Sequence, residues 1–234
     1  TVEKEPESFE YRKLRYYGAD VHVLEVGKEY KVDVDLGERH KLERVSSIVK
    51  SQKALAGINA GFFNLNGSRE HLGGLIDDGL YYHQPSANFI DFIYYKDGTT
   101  EIKNMNGYDR NLLSGLQRDA HWQIGTSYSL VQDGAMNLEN TDKFSHSSSD
   151  QPRTMIGQKK DGNFILAVAD GRRSTSRGLT AWEQAKVMLD LGCVNAVNLD
   201  GGGSSTMVVG GKVVNRPSDG SERKVGSVLL VKEV

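Results

Sequence analysis

Five dipeptides that favour tight turns lie between apolar runs, and they constrain the fold more than any other feature of this sequence. The pairs are Asp78-Gly79, Asp97-Gly98, Asp133-Gly134, Asp161-Gly162 and Gly210-Gly211. Each contains residues that accept the positive φ of a hairpin turn, which joins two antiparallel strands. The middle of the chain is therefore predicted to be mainly antiparallel sheet.

The first third of the chain has the residue pattern of short strands. Alternating runs at 9–17, 20–26 and 30–36 predict three of them. Leu42, Val45 and Val49 follow with the spacing of one helical face. Neither an internal repeat nor a Pro- or Gly-rich linker divides the sequence. We therefore expect one domain over 1–234 of the α+β class, with mixed, mostly antiparallel sheets and packed helices: N-terminal strands in 1–50 and a motif-bearing region over 55–234.

Composition excludes several classes of partner. The 234 residues carry 29 Lys+Arg against 31 Asp+Glu, a net charge of −2, without the basic excess that nucleic acid binding needs. No apolar run approaches the ~18 residues of a membrane helix, so we expect no membrane insertion.

The potential metal ligands are few and poorly spaced. Cys193 is the single cysteine, which excludes an internal disulfide and a multi-Cys zinc site; we expect a buried structural thiol. No histidine pair has zinc-binding spacing, and we expect neither a metal nor another cofactor. The histidines are His22, His40, His71, His83, His121 and His146.

Residues 139–150 form a polar stretch without periodicity, in which Phe144 alone is large and apolar. This composition is typical of a mobile surface loop.

A strand-helix-strand unit is predicted over about 163–200. Thr180 and Glu183 have the spacing of a capping box at the start of the helix, and Gly192 follows its end. The predicted helical face consists of Leu179, Trp182, Ala185 and Leu189.

Both apolar runs of this unit end in Asp-Gly, at Asp170 and at Asp200. A crossover of this length permits parallel strands, whose carboxyl ends lie on one edge of the sheet. We therefore expect the two acids to meet there, at the usual position of a ligand crevice.

The segment 198–206, Asn-Leu-Asp-Gly-Gly-Gly-Ser-Ser-Thr, has the most unusual composition in the chain. Three glycines let a ligand approach the backbone closely, and the hydroxyls beyond them can hold phosphate or sugar oxygens. A sharp turn is the structural alternative, but it needs one or two glycines and no acid. The spacing matches neither common nucleotide-binding glycine motif, and G-x-S-x-G is absent.

Several arginines lie near the ends of these strands. A guanidinium binds phosphate in a bidentate manner, but exposed arginines are usually solvated charge. We expect solvated charge for Arg172 and Arg173; for Arg153 and Arg177 both roles remain open. The capping box already accounts for Glu183.

These motifs together resemble the phosphodiester glycosidase family, in order from about residue 55 to the C-terminus. The matching segments are 58–63, Gly67 with Gly73, Arg153-Thr154 with Ile156-Gly157, 169–171, Arg177-Gly178, Trp182-Glu183 with Ala185, 195–204 and 216–219.

The resemblance implies hydrolysis of the glycosidic C–O bond of a sugar-1-phosphodiester, giving free sugar and a phosphomonoester. It makes Asp200 the first candidate for the carboxylate that acts as nucleophile or base, with Asp170 and Glu183 competing for a second role. Arg153 and Arg177 would neutralise the phosphate.

The resemblance also implies a set of substrate-binding residues around these carboxylates. Sugar hydroxyls or an N-acetyl group would be bound by Asn59 and Asn198. The set is completed by Thr154 and by Gly201, Gly202, Gly203, Ser204 and Ser205, which would cradle oxygens.

The expected partner is a phosphorylated glycan, either an N-acetylglucosamine-1-phosphodiester or a phosphodiester-linked wall or capsular polymer of a bacterial or phage system. A secreted or cell-surface location suits such a substrate, with cytoplasmic and phage-associated locations left open. Two other functions remain open: a non-catalytic phosphoglycan-binding module, and a phosphodiesterase in which the acids hold Mg²⁺ or Ca²⁺.

Overall fold

The computed structural model describes residues 9–38, 41–65, 70–86 and 88–234. Residues 1–8, His40 and Gly67, which the sequence analysis mentions, lie outside the described residues.

Strands make up most of the described part of the chain. They are β1 (Phe9–Tyr16), β2 (Ala19–Val26), β3 (Tyr30–Asp35), β4 (Ala56–Asn59), β5 (Leu75–Asp77), β6 (Leu80–His83), β7 (Ile90–Tyr95), β8 (Thr100–Asn104), β9 (Ala120–Thr126), β10 (Ser129–Gln132), β11 (Ala135–Met136), β12 (Arg153–Lys159), β13 (Phe164–Ala169), β14 (Cys193–Asn198), β15 (Met207–Val209), β16 (Lys212–Val213) and β17 (Val228–Glu233). The α-helices are α1 (Val45–Ser51), α2 (Arg110–Asp119) and α3 (Ala181–Asp190).

Among the described residues these strands form three sheets. Their orders are β1-β2-β13-β12-β14-β10-β11, β16-β15-β4-β17-β3 and β6-β5-β9-β7-β8, and the paired neighbours are antiparallel. All five turn dipeptides join paired antiparallel strands, as predicted. The expected single α+β domain with mostly antiparallel sheets is confirmed.

The three sheets share one central core, to which Leu166, Ile58 and Trp122 each contribute from a different sheet. Each helix covers the outer face of one sheet: α3 the first, α1 the second and α2 the third. The apolar faces of the sheets are buried in these cores, and polar groups are found at the ends of the strands. No helix in the described ranges is long and apolar enough to cross a membrane.

Helix α3 begins with the predicted capping box. The Glu183 N–H donates to Thr180 Oγ1 at 3.3 Å, and the Thr180 N–H donates to Glu183 Oε2 at 2.9 Å. The predicted buried face is wrong at Trp182, which is 50% exposed, because the helix turns Ala181, Ala185 and Met188 toward the sheet instead.

Strands β13 and β14 lie in one sheet with their carboxyl ends on the same edge, as the sequence predicts. They are not neighbours, however, because β12 pairs antiparallel with both. The insertion of one strand places the two carboxyl ends about 10 Å apart.

The polar stretch at 139–150 is not an isolated surface loop. It contains two 3₁₀ turns, Thr141–Lys143 and Ser145–Ser148, and Phe144 packs against Tyr128 and Phe89. The stretch forms one wall of the cleft described next.

Candidate active site

A cleft of about 320 Å³ opens at the carboxyl end of β14. Its walls include the side chains of Asp200, Arg172, Arg223, His146, Gln151 and Phe62. Asp200 is the one acidic residue that lines the cleft in the described part of the chain. A carboxylate, two guanidinium groups, an imidazole, an amide and a phenyl ring thus surround one small volume.

Asp200 is held by its backbone. Its N–H donates to the Ala60 carbonyl at 3.0 Å, and its own carbonyl accepts from Asn59 Nδ2 at 2.6 Å. Burial raises the pKa of the Asp200 carboxyl from 3.8 to about 6, against the opposing effects of the Ser204 side chain and the Arg223 charge. The group is therefore mainly ionised at pH 7 but close to its titration range, as suits a reacting carboxylate.

The three glycines after Asp200 suit their positions through close contacts or through the backbone angle. A Cβ on Gly201 would lie 2.8 Å from the Pro152 carbonyl oxygen, and one on Gly203 would collide with Arg223 and Asp219. Gly202 has a φ of +59°, which side chains rarely adopt. The turn can thus lie under the cleft with backbone alone exposed to a ligand.

Most N–H groups of this turn are already used within the protein. Gly202 donates to the Pro152 carbonyl at 2.9 Å, Ser204 to Gly201 at 3.1 Å and Ser205 to Gly202 at 3.3 Å. The backbone N–H groups of Gly202, Ser204 and Ser205 are therefore not free to bind ligand oxygens, although the sequence predicts this for the whole turn.

Two arginines bring positive charge to the cleft. Arg172 donates from Nε and Nη2 to Gln151 Oε1 at 3.0 and 2.7 Å, and Arg223 donates from Nε to Asp219 at 2.9 Å. Arg172 also has a left-handed backbone, with a φ of +58°, which sets the direction of its side chain. Guanidinium groups on two sides of the cleft favour an anionic ligand.

His146 lies on the wall formed by residues 139–150. Burial lowers the pKa of its imidazole, and the Arg153 charge lowers it further, so the ring is neutral at pH 7. A neutral imidazole can donate or accept one hydrogen bond with the ligand.

Asn59 and Thr154 lie beneath the glycine turn. Thr154 Oγ1 donates to Asn59 Oδ1 at 2.8 Å, and the Thr206 N–H donates to the same oxygen at 3.0 Å. Thr154 also contacts the Ser205 hydroxyl at 3.2 Å. Asn59 and Thr154 are fully buried and hold the turn in place, rather than presenting their side chains to the solvent.

A second buried network starts at Asn198, which lines the cleft. Gln184 Nε2 donates to Asn198 Oδ1 at 2.8 Å, and the Tyr128 hydroxyl donates to Gln184 Oε1 at 2.9 Å. Asn198 Nδ2 donates to Ser127 at 2.9 Å. Both polar ends of the Asn198 amide are therefore occupied and its orientation is determined.

Arg153 lines the cleft but is only 2% exposed. It donates to the carbonyls of Leu179, His146 and Ser149 at 2.7–2.9 Å and to the Tyr128 hydroxyl at 3.0 Å. Four partners leave one of its five N–H groups for a ligand. The main task of Arg153 in the structure is to hold the 139–150 wall.

The prediction that Asp170 meets Asp200 is wrong at the cleft, which Asp200 lines and Asp170 does not; the alternation of side chains along the two strands explains the difference. Asp170 continues the alternation of Leu166 and Val168, which face the central core, whereas Asp200 continues that of Ala196, which faces α3.

The Asp170 carboxylate is buried at 2% exposure and has its own partners. It accepts from the Arg216 N–H at 2.8 Å and from Asn215 Nδ2 and His22 Nε2 at 3.3 Å. Asp170 therefore attaches the 215–216 segment to the sheet.

Glu183 and Arg177 lie outside the residues that line the cleft. They form an ion pair with each other, and Arg177 also pairs with Asp150. Glu183 in addition closes the capping box of α3.

The cleft contains residues that sequence reasoning missed. Arg172 was expected to be solvated charge, His146 carried no spacing signal, and Arg223 and Gln151 stand in no recognisable motif. Phe62 lies in the family-like segment 58–63 but was assigned no role from the sequence. The one usable signal was the repetition of arginines after Asp170.

The fold and the cleft together define a class of protein: an α+β domain in which one carboxylate, that of Asp200, lies in a cleft with arginine side chains. The chain belongs to the phosphodiester glycosidase family, whose model matches residues 52–232. The resemblance drawn from the motifs is thereby confirmed.

Two relatives are similar over most of this chain. It is 33% identical over 193 residues to the SPbeta prophage-derived uncharacterized protein YomE of Bacillus subtilis, covering 81% of this chain and 29% of that protein. It is 32% identical over 194 residues to the mouse N-acetylglucosamine-1-phosphodiester alpha-N-acetylglucosaminidase, covering 75% of this chain and 37% of that protein. The chain thus spans about a third of the length of these curated relatives.

A solved structure shares the fold. The zebrafish N-acetylglucosamine-1-phosphodiester alpha-N-acetylglucosaminidase catalytic domain, auto-inhibited by its pro-peptide, matches with a TM-score of 0.77 and 24% identity over 100% of this chain and 86% of that one.

Proposed function

We propose that this protein hydrolyses the C–O bond between a sugar's anomeric carbon and the phosphate of a sugar-1-phosphodiester. The observation that carries the proposal is the presence of Asp200, Arg172 and Arg223 around one cleft. Family membership supports the same reaction class.

The reaction needs negative charge at the sugar and positive charge at the phosphate. As the C–O bond breaks, the sugar takes on oxocarbenium-ion character, which an ionised carboxylate stabilises. In our proposal Asp200 supplies that carboxylate, as the one acid among the described residues that line the cleft.

The departing phosphomonoester keeps the bonding electrons and gains negative charge. Arg172 and Arg223 would stabilise this charge, since fixed cationic donors act most strongly where charge develops. Such a leaving group needs little general-acid assistance, in agreement with the single carboxylate among the described residues that line the cleft. Water supplies the hydroxyl group of the free sugar and the proton that is released.

The remaining cleft residues are assigned to sugar binding. Gln151 offers an amide group, Phe62 an apolar face and His146 a neutral ring, whereas the Asn198 amide is already bonded to Gln184 and Ser127 and shapes the wall of the cleft. Three buried residues act indirectly. Asn59 and Thr154 hold the glycine turn in position, and Arg153 holds the 139–150 wall.

The proposed substrate is a phosphodiester-linked glycan that carries N-acetylglucosamine or a similar sugar. The mouse relative's name specifies an N-acetylglucosamine-1-phosphodiester, and the prophage relative makes a bacterial surface polymer a natural second choice. Such a polymer would place the enzyme at the cell surface.

Hydrolysis in heavy-oxygen water tests the reaction. An α-N-acetylglucosamine phosphodiester is incubated with the wild type and with Asp200→Asn, and mass spectrometry locates the label. We expect the label in free sugar, with turnover reduced at least ~10³-fold in the variant, as for loss of a principal catalytic group. Thermal unfolding of both proteins shows whether the variant is folded.

The other outcomes separate the alternatives. Label in phosphate would mean cleavage of the P–O bond, as by a metal-dependent phosphodiesterase. Near-normal turnover by a folded Asp200→Asn would remove Asp200 from the mechanism. Binding without product, on this compound and on a panel of wall glycans, would mean a non-catalytic module.

A further inference from the structure

Two aromatic side chains, Tyr17 and Trp182, form an exposed pair outside the cleft. Their ring centroids are 6.0 Å apart in an edge-on arrangement, and the residues are 39% and 50% exposed. Tyr17 is at the tip of the β1–β2 hairpin and Trp182 is in the first turn of α3. We call these two residues the aromatic platform.

Tyr17 occupies a backbone position that its side chain disfavours. Tyr17 and Gly18 form a two-residue hairpin loop with φ angles of 48° and 78°, a turn that prefers Asn or Asp at its first position. Within the described ranges, three other hairpins have this geometry, at Asp78-Gly79, Asp133-Gly134 and Gly210-Gly211. Tyr17 is the one large, β-favouring residue in this group, so the preferences of the turn do not explain its ring.

The ring is not needed to attach the hairpin. Arg177 Nε donates to the Tyr17 carbonyl at 2.6 Å, Arg15 donates to the Thr175 carbonyl at 2.7 Å, and the Asp20 N–H donates to Ser176 at 2.9 Å. These bonds hold the tip through backbone groups and through side chains other than the ring.

A chain of contacts through Arg177 links the platform to a residue that lines the cleft. Gln151 lines the cleft, the adjacent Asp150 pairs with Arg177, and Arg177 binds the Tyr17 carbonyl. The same Arg177 pairs with Glu183, next to Trp182. Since Asp150 and Glu183 neutralise Arg177, the charge of Arg177 is not left over for a second phosphate beside the platform.

We infer that the aromatic platform binds a further sugar of a polymeric glycan whose scissile phosphodiester lies at Asp200. This inference rests on the proposed function and narrows it to a polymer. A cleft of about 320 Å³ is at the small end of ligand pockets, which measure roughly 300–1,000 Å³, so additional sugars lie outside it. Exposed Trp and Tyr rings offer apolar faces to the C–H face of a pyranose, with polar edges for its hydroxyls.

Kinetics on two substrates tests the platform. One is a short N-acetylglucosamine phosphodiester, and the other is a polymer of N-acetylglucosamine joined by phosphodiesters. We expect Trp182→Ala to raise KM for the polymer about tenfold, which corresponds to the loss of one aromatic contact. The KM for the short substrate should not change. Trp182→Tyr, which keeps an aromatic ring, should have a KM close to that of the wild type on both substrates.

Tyr17→Asn is the matched variant at the hairpin. It removes the ring but supplies a residue that the turn prefers, so we expect a Tm equal to or above that of the wild type together with a raised KM for the polymer. A lowered Tm with unchanged KM would show that the ring serves only the fold.

A binding measurement keeps the platform testable if neither substrate is cleaved. The chain has two tryptophans, and Trp122 is buried, so Trp122→Phe isolates the fluorescence of Trp182. We expect the polymer, added to Trp122→Phe combined with Asp200→Asn, to shift the emission to the blue and to protect it from acrylamide. Protection of this variant, together with no cleavage of either substrate by the wild type, would keep the platform and discard the proposed reaction; no protection and no change in polymer KM would overturn the platform.

Discussion

Asp200 combines a raised pKa with a nearby cation, and this pair of features sets the expected pH dependence. The Asp200 carboxyl must lose its proton to act, and burial holds its pKa at about 6. A phosphodiester does not titrate in this range, so the acid side of the profile reports the enzyme. We expect kcat/KM to fall as the pH drops through about 6, by about tenfold per unit below it.

Arg223 supplies the means of checking that assignment. Its charge lowers the pKa of Asp200, so Arg223→Gln should move the acid limb to higher pH in addition to weakening phosphate binding. Arg173→Gln, at an exposed residue outside the cleft, serves as the control and should leave the limb in place. If the acid limb stays at the same pH in Arg223→Gln, the titrating group is not Asp200.

In helix α3, Glu183 matches a family motif but has a structural role at the start of the helix. Glu183 accepts from the Thr180 N–H in the capping box and pairs with Arg177. Thr180→Ala should lower the free energy of unfolding by about 1 kcal/mol, and Thr180→Ser should restore it. Urea unfolding measures both.

Activity assays separate the capping role of Glu183 from a catalytic one. Glu183→Gln can still accept the N-cap hydrogen bond but loses the ion pair with Arg177, and we expect turnover within about twofold of the wild type because the residue lies outside the cleft lining. A large loss of kcat in a folded Glu183→Gln would return Glu183 to the reaction.

At the scale of the whole molecule, Arg153 links the large sheet, the segment that precedes α3 and the 139–150 wall. Removing the guanidinium takes four hydrogen bonds from the wall and its surroundings; the Leu179 and His146 carbonyls keep a backbone donor, whereas the Ser149 carbonyl and the Tyr128 hydroxyl lose the donor that Arg153 gave them. Because each unmet buried acceptor is costly, we expect Arg153→Met to lose more than about 3 kcal/mol of unfolding free energy. Tyr128→Phe, which removes a single partner, should cost about 1 kcal/mol.

Limited proteolysis distinguishes loss of the wall from general destabilisation. In Arg153→Met, cleavage should concentrate in 139–150 before the molecule unfolds. Uniform cleavage would mean that Arg153 stabilises the sheet and not specifically the 139–150 wall.

The sequence determined what depends on neighbours along the chain. The hairpin turns followed from Asp-Gly and Gly-Gly pairs, the start of α3 from Thr180 and Glu183, and the unusual turn from the glycines after Asp200. Backbone dihedral preferences and capping act over a few residues, so a local pattern specifies them.

Tertiary structure alone decided which side chains share the cleft. The insertion of β12 between β13 and β14, together with the alternation of side chains, separated Asp170 from Asp200. Arg223 reaches the site from a distant segment, and Arg153 is buried by three elements at once. These outcomes depend on strand order and face, which non-local packing sets, so spacing along the chain could place Asp200 at a strand end but not choose its companions.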